Sequence, residues 1–147
     1  MESHVSNLVS SSSQNLYALR VLKAHGLHQT ELSNVCRATL LSRVTYASPA
    51  WAGFLTQAQK DRIGSVVKKA TRWGVYSKLA PTFEDIVNKA DSILFKSVLD
   101  NPSHILHSLL PTQKPQHHNL RPRAHNRVLP VKTTLNSGNF IYRMLYS

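Results

Sequence analysis

Few side chains in this chain have the type and spacing that bond chemistry needs. The carboxylates number seven: Glu2, Glu31, Asp61, Glu84, Asp85, Asp91 and Asp100. Polynucleotide polymerases and many nucleases converge two or three carboxylates on magnesium. Here only Glu84 and Asp85 are close in sequence. Adjacent residues on a helix point apart, and at a helix start an acid serves the helix dipole. No aromatic-x-Asp-Asp motif is present. His104 and His107 lie three apart on an expected helical turn, and His117, His118 and His125 follow. A structural zinc takes four ligands, usually including cysteines, and Cys36 stands alone. These histidines read better as local hydrogen-bonding groups that gain charge below neutral pH. No flanking sequence marks a serine or cysteine nucleophile, and no glycine-rich loop is built for phosphate. The chain is expected to be no enzyme, with no cofactor and no metal.

Charge points elsewhere. The net charge is +11, and it is unevenly spread. Ten Lys/Arg fall in residues 16–80 against Glu31 and Asp61; residues 81–101 are mildly acidic; residues 102–147 carry six Lys/Arg and no acid. A polyanion bound to such a surface releases its counterions, which favours nucleic acid as partner. The alternative is a solvated basic surface with no specific partner.

The elements that must carry these cations are helical. Residues 1–15, with the run Ser10 to Ser13, are expected to be frayed or disordered. Leu16 to His25 makes a short helix that Gly26 stops. A second helix starts near Thr30. Leu32, Val35, Cys36, Thr39, Leu40 and Ala47 give it one face and put Arg43 on that core side, and Leu41 and Val44 make it apolar more than halfway round, as central helices are. Pro49 is expected to end it, with Trp51 and Phe54 packing in the corner. Thr56 and Gln59 form a capping-box signal for a third helix. Its inner face is Ile63, Val66, Val67 and Ala70; Lys68, Lys69 and Arg72 lie opposite, flanked by Lys60 and Arg62. Trp73, Tyr76 and Gly74 close it. Pro81, Thr82 and Asp85 start the next helix, with Phe83, Ile86, Val87, Ala90, Leu94 and Val98 inward. His104 to Leu110 is a short turn. From Pro111 the prolines punctuate an extended basic tail. Phe140, Ile141, Met144, Leu145 and Tyr146 form a small apolar end that either docks back or stands alone.

The expected fold is all-α, a small bundle of about four to five helices. With 147 residues it has room for one modest core. No apolar run approaches the roughly 20 residues of a membrane span, and no secretory signal opens the chain. The lone cysteine suits a reducing compartment. An intracellular location, nucleus or cytoplasm, with no membrane partner, is the expectation.

Six stretches, in order, resemble one family: Leu16-Tyr17-Ala18-Leu19-Arg20; Tyr46-Ala47-Ser48-Pro49-Ala50-Trp51; Pro81-Thr82-Phe83-Glu84-Asp85; Asn101-Pro102-Ser103-His104-Ile105-Leu106; Asn119-Leu120-Arg121-Pro122-Arg123-Ala124-His125-Asn126-Arg127; and Asn139-Phe140-Ile141-Tyr142-Arg143-Met144-Leu145-Tyr146. Together they are similar to the C-terminal end of reverse transcriptases from non-LTR retrotransposons of the jockey and tick-transposon kind. The resemblance implies a helical thumb-like domain over residues 16–110 and a basic C-terminal extension over 111–147, without the palm and its catalytic aspartates. In that family the thumb holds template–primer duplex. It implies a nucleic-acid backbone as partner, held without sequence readout. Arg62, Lys68, Lys69 and Arg72 are the phosphate-facing candidates on the third helix by its wheel, and Arg121, Arg123 and Arg127 those of the tail. A reading of another class stays open beside it: a decayed or reused fragment whose helices serve only for packing. Its exposed apolar side would then meet a separate polymerase or a second copy of itself.

Overall fold

The computed structural model of the chain describes residues 1–77, 81–114, 125–134 and 136–147. The fold is all-α. Among the described residues there is no strand, only an isolated antiparallel bridge between Gln113 and Arg127. None of the described helices is long and apolar enough to cross a membrane.

The N-terminus departs from expectation. Residues 2–15 are not frayed; α1 runs unbroken over Glu2–Ala24. Val5, Leu8, Ser12, Leu16 and Leu19 are its buried residues, and their three- and four-residue steps trace one helical stripe. The serine run hid that stripe because Ser12 is small enough to sit in the core where an apolar residue is usual. Ser11 bends back on the helix: its hydroxyl donates to the Asn7 and Leu8 carbonyls. Gly26, at φ 87°, ends the helix as the sequence implied.

The next helix is continuous but irregular. It passes from α2 (Gln29–Cys36) through a π-turn (Arg37–Leu41) into α3 (Ser42–Thr45). The Ser42 amide reaches five residues back to the Arg37 carbonyl. One π-turn inserts a residue into the helical count, so a regular wheel fails beyond it. Leu32, Cys36, Leu40 and Val44 are buried at a constant step of four. Arg43, placed on the core side by the wheel, is exposed, and Val44 takes that side. This helix is therefore buried on one stripe rather than halfway round. The central helix is α1, which packs against both it and α5 (Gln57–Arg72).

Pro49 does not end that helix. The chain has already left it at Tyr46, and Ala47 takes φ 49°, a left-handed conformation costly for a residue with a Cβ. Pro49 then sits in the first turn of the short α4 (Ser48–Trp51), where a missing N–H is harmless. Trp51 anchors this corner. Its indole N–H donates to the Tyr46 carbonyl at 2.9 Å, and its ring lies beside His4 and Phe83. A 3-10 turn, Ala52–Phe54, leads into α5.

Both expected capping boxes are formed, Thr56 with Gln59 and Thr82 with Asp85. The second opens α6 (Phe83–Asp100). Its buried stripe includes Asp91 and Phe95, with Ala90 and Leu94 only half-buried.

The end of the chain docks back. α7 (Phe140–Leu145) buries Phe140, Ile141 and Leu145 against Phe95 in a second, smaller core. Gly53 and Gly138 approach backbone to backbone there. A Cβ on Gly53 would stand 2.1 Å from the Gly138 carbonyl oxygen. Among the described residues beyond 124, Leu129 and the α7 residues pack onto the second core, while residues 131–134 are exposed. Of the stretch where the extended tail was expected, residues 115–124, with Arg121 and Arg123, lie outside the described residues.

Candidate nucleic-acid interface

α5 has three faces. Ile63, Val66, Val67 and Ala70 turn into the core. One flank meets α1, which runs parallel to it: Gln59 and Arg62 meet Glu2 at one end, and Lys23 meets the Trp73 carbonyl at the other. The other flank is open and forms a groove with the start of α6.

That groove has a volume of about 660 Å³. Along α5 its lining includes Lys60, Gly64, Lys68 and Arg72, at steps of one helical turn, with Asp61 beside Lys60; Pro81, Phe83 and Glu84 face them. Lys68 and Arg72 are exposed and Lys60 half-exposed. Lys60, Lys68 and Arg72 make no ion pair among the described residues, where the pairs are His28–Glu31, Arg62–Glu2 and Arg143–Asp91. Asp61 accepts from the Gln57 side chain at 3.0 Å.

Gly64 lines the groove and leaves its floor without a side chain. Glycine inside a helix costs about 1 kcal/mol relative to alanine. The fold does not require it: φ there is not positive, and an added Cβ would meet only the Phe83 Cβ, at 3.8 Å. What a larger side chain at this position would fill is the groove.

The expected phosphate-facing residues do not share one face. Lys68 and Arg72 belong to the groove. Lys69, one residue and about 100° round the helix from Lys68, lies against Trp73, with its Nζ 5.3 Å from the ring centroid. The Arg20 guanidinium lies 5.0 Å from the same ring. Such cation–ring contacts hold side chains in place, and with the Lys23 bond to the Trp73 carbonyl they gather Arg20, Lys23 and Lys69 at the C-terminal ends of α1 and α5. Arg62 is engaged by Glu2 and by the Ser6 hydroxyl, the latter at 3.1 Å. The Gln59 amide and then Arg62 hold the Glu2 carboxyl below its ordinary range. Arg127 turns its guanidinium to the Pro111 carbonyl at 3.1 Å, and its backbone N–H to His125 Nδ1. It fastens the C-terminal return. Arg121 and Arg123 lie outside the described residues.

Of the histidines named as possible ligands, His104, His107 and His125 are used locally, and His117 and His118 lie outside the described residues. His104 Nδ1 accepts the Leu106 N–H, His107 Nδ1 donates to the Val98 carbonyl at 2.7 Å, and His125 Nε2 donates to the Leu145 carbonyl at 3.0 Å. Among the described residues no group of three or more His, Cys, Asp or Glu is placed to hold a metal. The Asp85 carboxyl is held low by its bonds from the Thr82 hydroxyl and N–H, so it serves as a cap.

Of the cations that line the groove, the sequence named Lys68 and Arg72 as candidates and placed Lys60 only at the flank; the opposing wall from α6 and the clamp around Trp73 were not anticipated. Gly64 was the available signal, an unexplained glycine inside an amphipathic helix. Comparison with protein-family models, with curated proteins and with solved structures returns no match to this chain.

Proposed function

We propose that this chain is a non-catalytic helical module that holds nucleic acid by its sugar–phosphate backbone, and that it is a fragment of a non-LTR retrotransposon reverse transcriptase. The observation that carries the binding is the row of Lys60, Lys68 and Arg72 along an open groove, unpaired by any carboxylate among the described residues. Asp61 and Glu84 share the groove lining without pairing to these cations, and unpaired cations on a protein of net charge +11 favour a polyanion. The origin rests on the six ordered stretches alone. Contacts of this kind give affinity with little sequence readout. The polymerase chemistry belongs to a separate chain, and the site of action is intracellular, in nucleus or cytoplasm, away from membranes.

The test is binding to an RNA–DNA duplex by fluorescence anisotropy across a salt series. Affinity should fall steeply with salt, and replacing Lys60, Lys68 and Arg72 together with Glu should abolish it. Unchanged affinity in that variant would remove the reading.

A second reading, a protein-interaction module of decayed or reused origin, has one observation in its favour. Ile105 and Leu109 stand 84% and 63% exposed beside the second core. Sedimentation with and without duplex separates the two. Self-association that duplex does not alter would favour this second reading.

A further inference from the structure

We infer that the groove between α5 and the start of α6 takes one unpaired nucleotide of a strand, its base in the space left by Gly64 and its phosphate on Lys68 and Arg72. This rests on the backbone-holding function proposed above and specifies what the groove adds to it. A flat basic face suffices to hold duplex phosphates. This face is not flat. At about 660 Å³ the groove falls in the size class of small-molecule sites, and a base locked in a duplex presents only an edge and cannot enter it. An unstacked base can, as in single-strand recognition generally.

The order of chemistry along the groove fits a nucleotide laid parallel to α5. Gln57, Lys60 and Asp61 are at one end, Gly64 follows one turn on, Lys68 the next and Arg72 the next, with Glu84 on the facing wall. Asp61 and Lys68 are seven residues apart, about 10 Å along the helix. A carboxylate repels phosphate but accepts from the exocyclic amino group of a base. Val67, Pro81 and Phe83 supply the carbon surface between the charged ends. Gly64 completes the case, since the helix would be more stable with almost any side chain there and the neighbours would accept one.

The experiment compares a blunt RNA–DNA duplex with the same duplex bearing a single-stranded overhang of a few cytidines, by anisotropy at fixed salt. The full chain should bind the overhang form at least fivefold tighter. Gly64→Leu, which fills the groove, should erase that preference, bringing the ratio of overhang to blunt-duplex affinity, both measured on that variant, to about one. Gly64→Ala, which fills it less, should retain part of the preference, and circular dichroism checks that both variants fold. Equal binding of the two duplexes by the unaltered chain, or a preference that survives Gly64→Leu, would overturn the inference and leave the backbone reading standing. Loss of blunt-duplex binding is the mark of the Lys-to-Glu and Arg-to-Glu variants and tests that reading separately. Free cytidine monophosphate should compete for the overhang only at a hundredfold or greater excess. Competition at equal concentration would overturn the assignment to a strand, because the groove would then be a site for free nucleotides.

Discussion

Arg143 donates to both carboxylate oxygens of Asp91, at 2.5 Å to Oδ2 and 3.4 Å to Oδ1, and its second Nη also donates to the Pro49 carbonyl at 3.1 Å. One guanidinium so joins α7, α6 and the corner before α5. Asp91 is 2% exposed, so it depends on this partner. Removing one member of a buried pair typically costs about 3–5 kcal/mol, whereas an apolar replacement of both is often neutral. Arg143→Met should therefore lower the urea-derived stability by several kcal/mol. Adding Asp91→Leu should recover most of the loss. A double variant as unstable as the sum of the two single changes would show that the pair is not coupled.

Ser12 carries a buried hydroxyl with no hydrogen-bond partner among the described atoms, on the face of α1 that the rest of the bundle packs against. An unsatisfied buried polar group costs about 1–3 kcal/mol, and alanine is the better helix former. Ser12→Ala should raise stability by about 1 kcal/mol, read as a higher urea midpoint with an unchanged slope. Loss of stability would mean that the hydroxyl has a partner in solution.

Much of the bundle was legible in the sequence because local chemistry set it. Thr56–Gln59 and Thr82–Asp85 cap helices within four residues, and Gly26 must turn where a left-handed residue is wanted. What failed were places where a non-local or irregular feature overrode the local signal. Val44 replaced Arg43 in the core because a π-turn shifted the phase. The N-terminal helix was missed because its stripe passes through serines. Of the site, the cations were readable by type. Which way each one faced was not: Lys68 and Lys69 are neighbours in sequence, yet α6 closes a groove over one and Trp73 holds the other.

Cys36 is fully buried, and burial pushes its thiol up to about 11 from an ordinary 9.0. The unfolded chain then loses this proton first as pH climbs. The contribution is whole below about 9 and is lost as pH rises toward about 11. The stability difference between the natural chain and Cys36→Ala should accordingly shrink over that window and stay constant below it. A difference that does not change with pH would mean that the thiol reaches water.

Lys68 and Lys69 should part company when each is replaced by Glu. Lys68 lines the groove and has no ion pair or side-chain hydrogen bond among the described residues, so Lys68→Glu should weaken duplex binding and lower the salt slope by about 1, with stability within about 0.5 kcal/mol of the natural chain. Lys69 rests on Trp73 near the last turn of α5. Its replacement removes a cation–ring contact of about 0.5–1 kcal/mol and sets an acid against the negative end of the helix dipole, a further few tenths. Lys69→Glu should lower stability by about 1 kcal/mol while affecting binding less than Lys68→Glu does. Anisotropy and urea unfolding on the two variants give the four numbers needed. Equal losses of affinity from both would mean that nucleic acid lies across the crest of α5 and not along the groove.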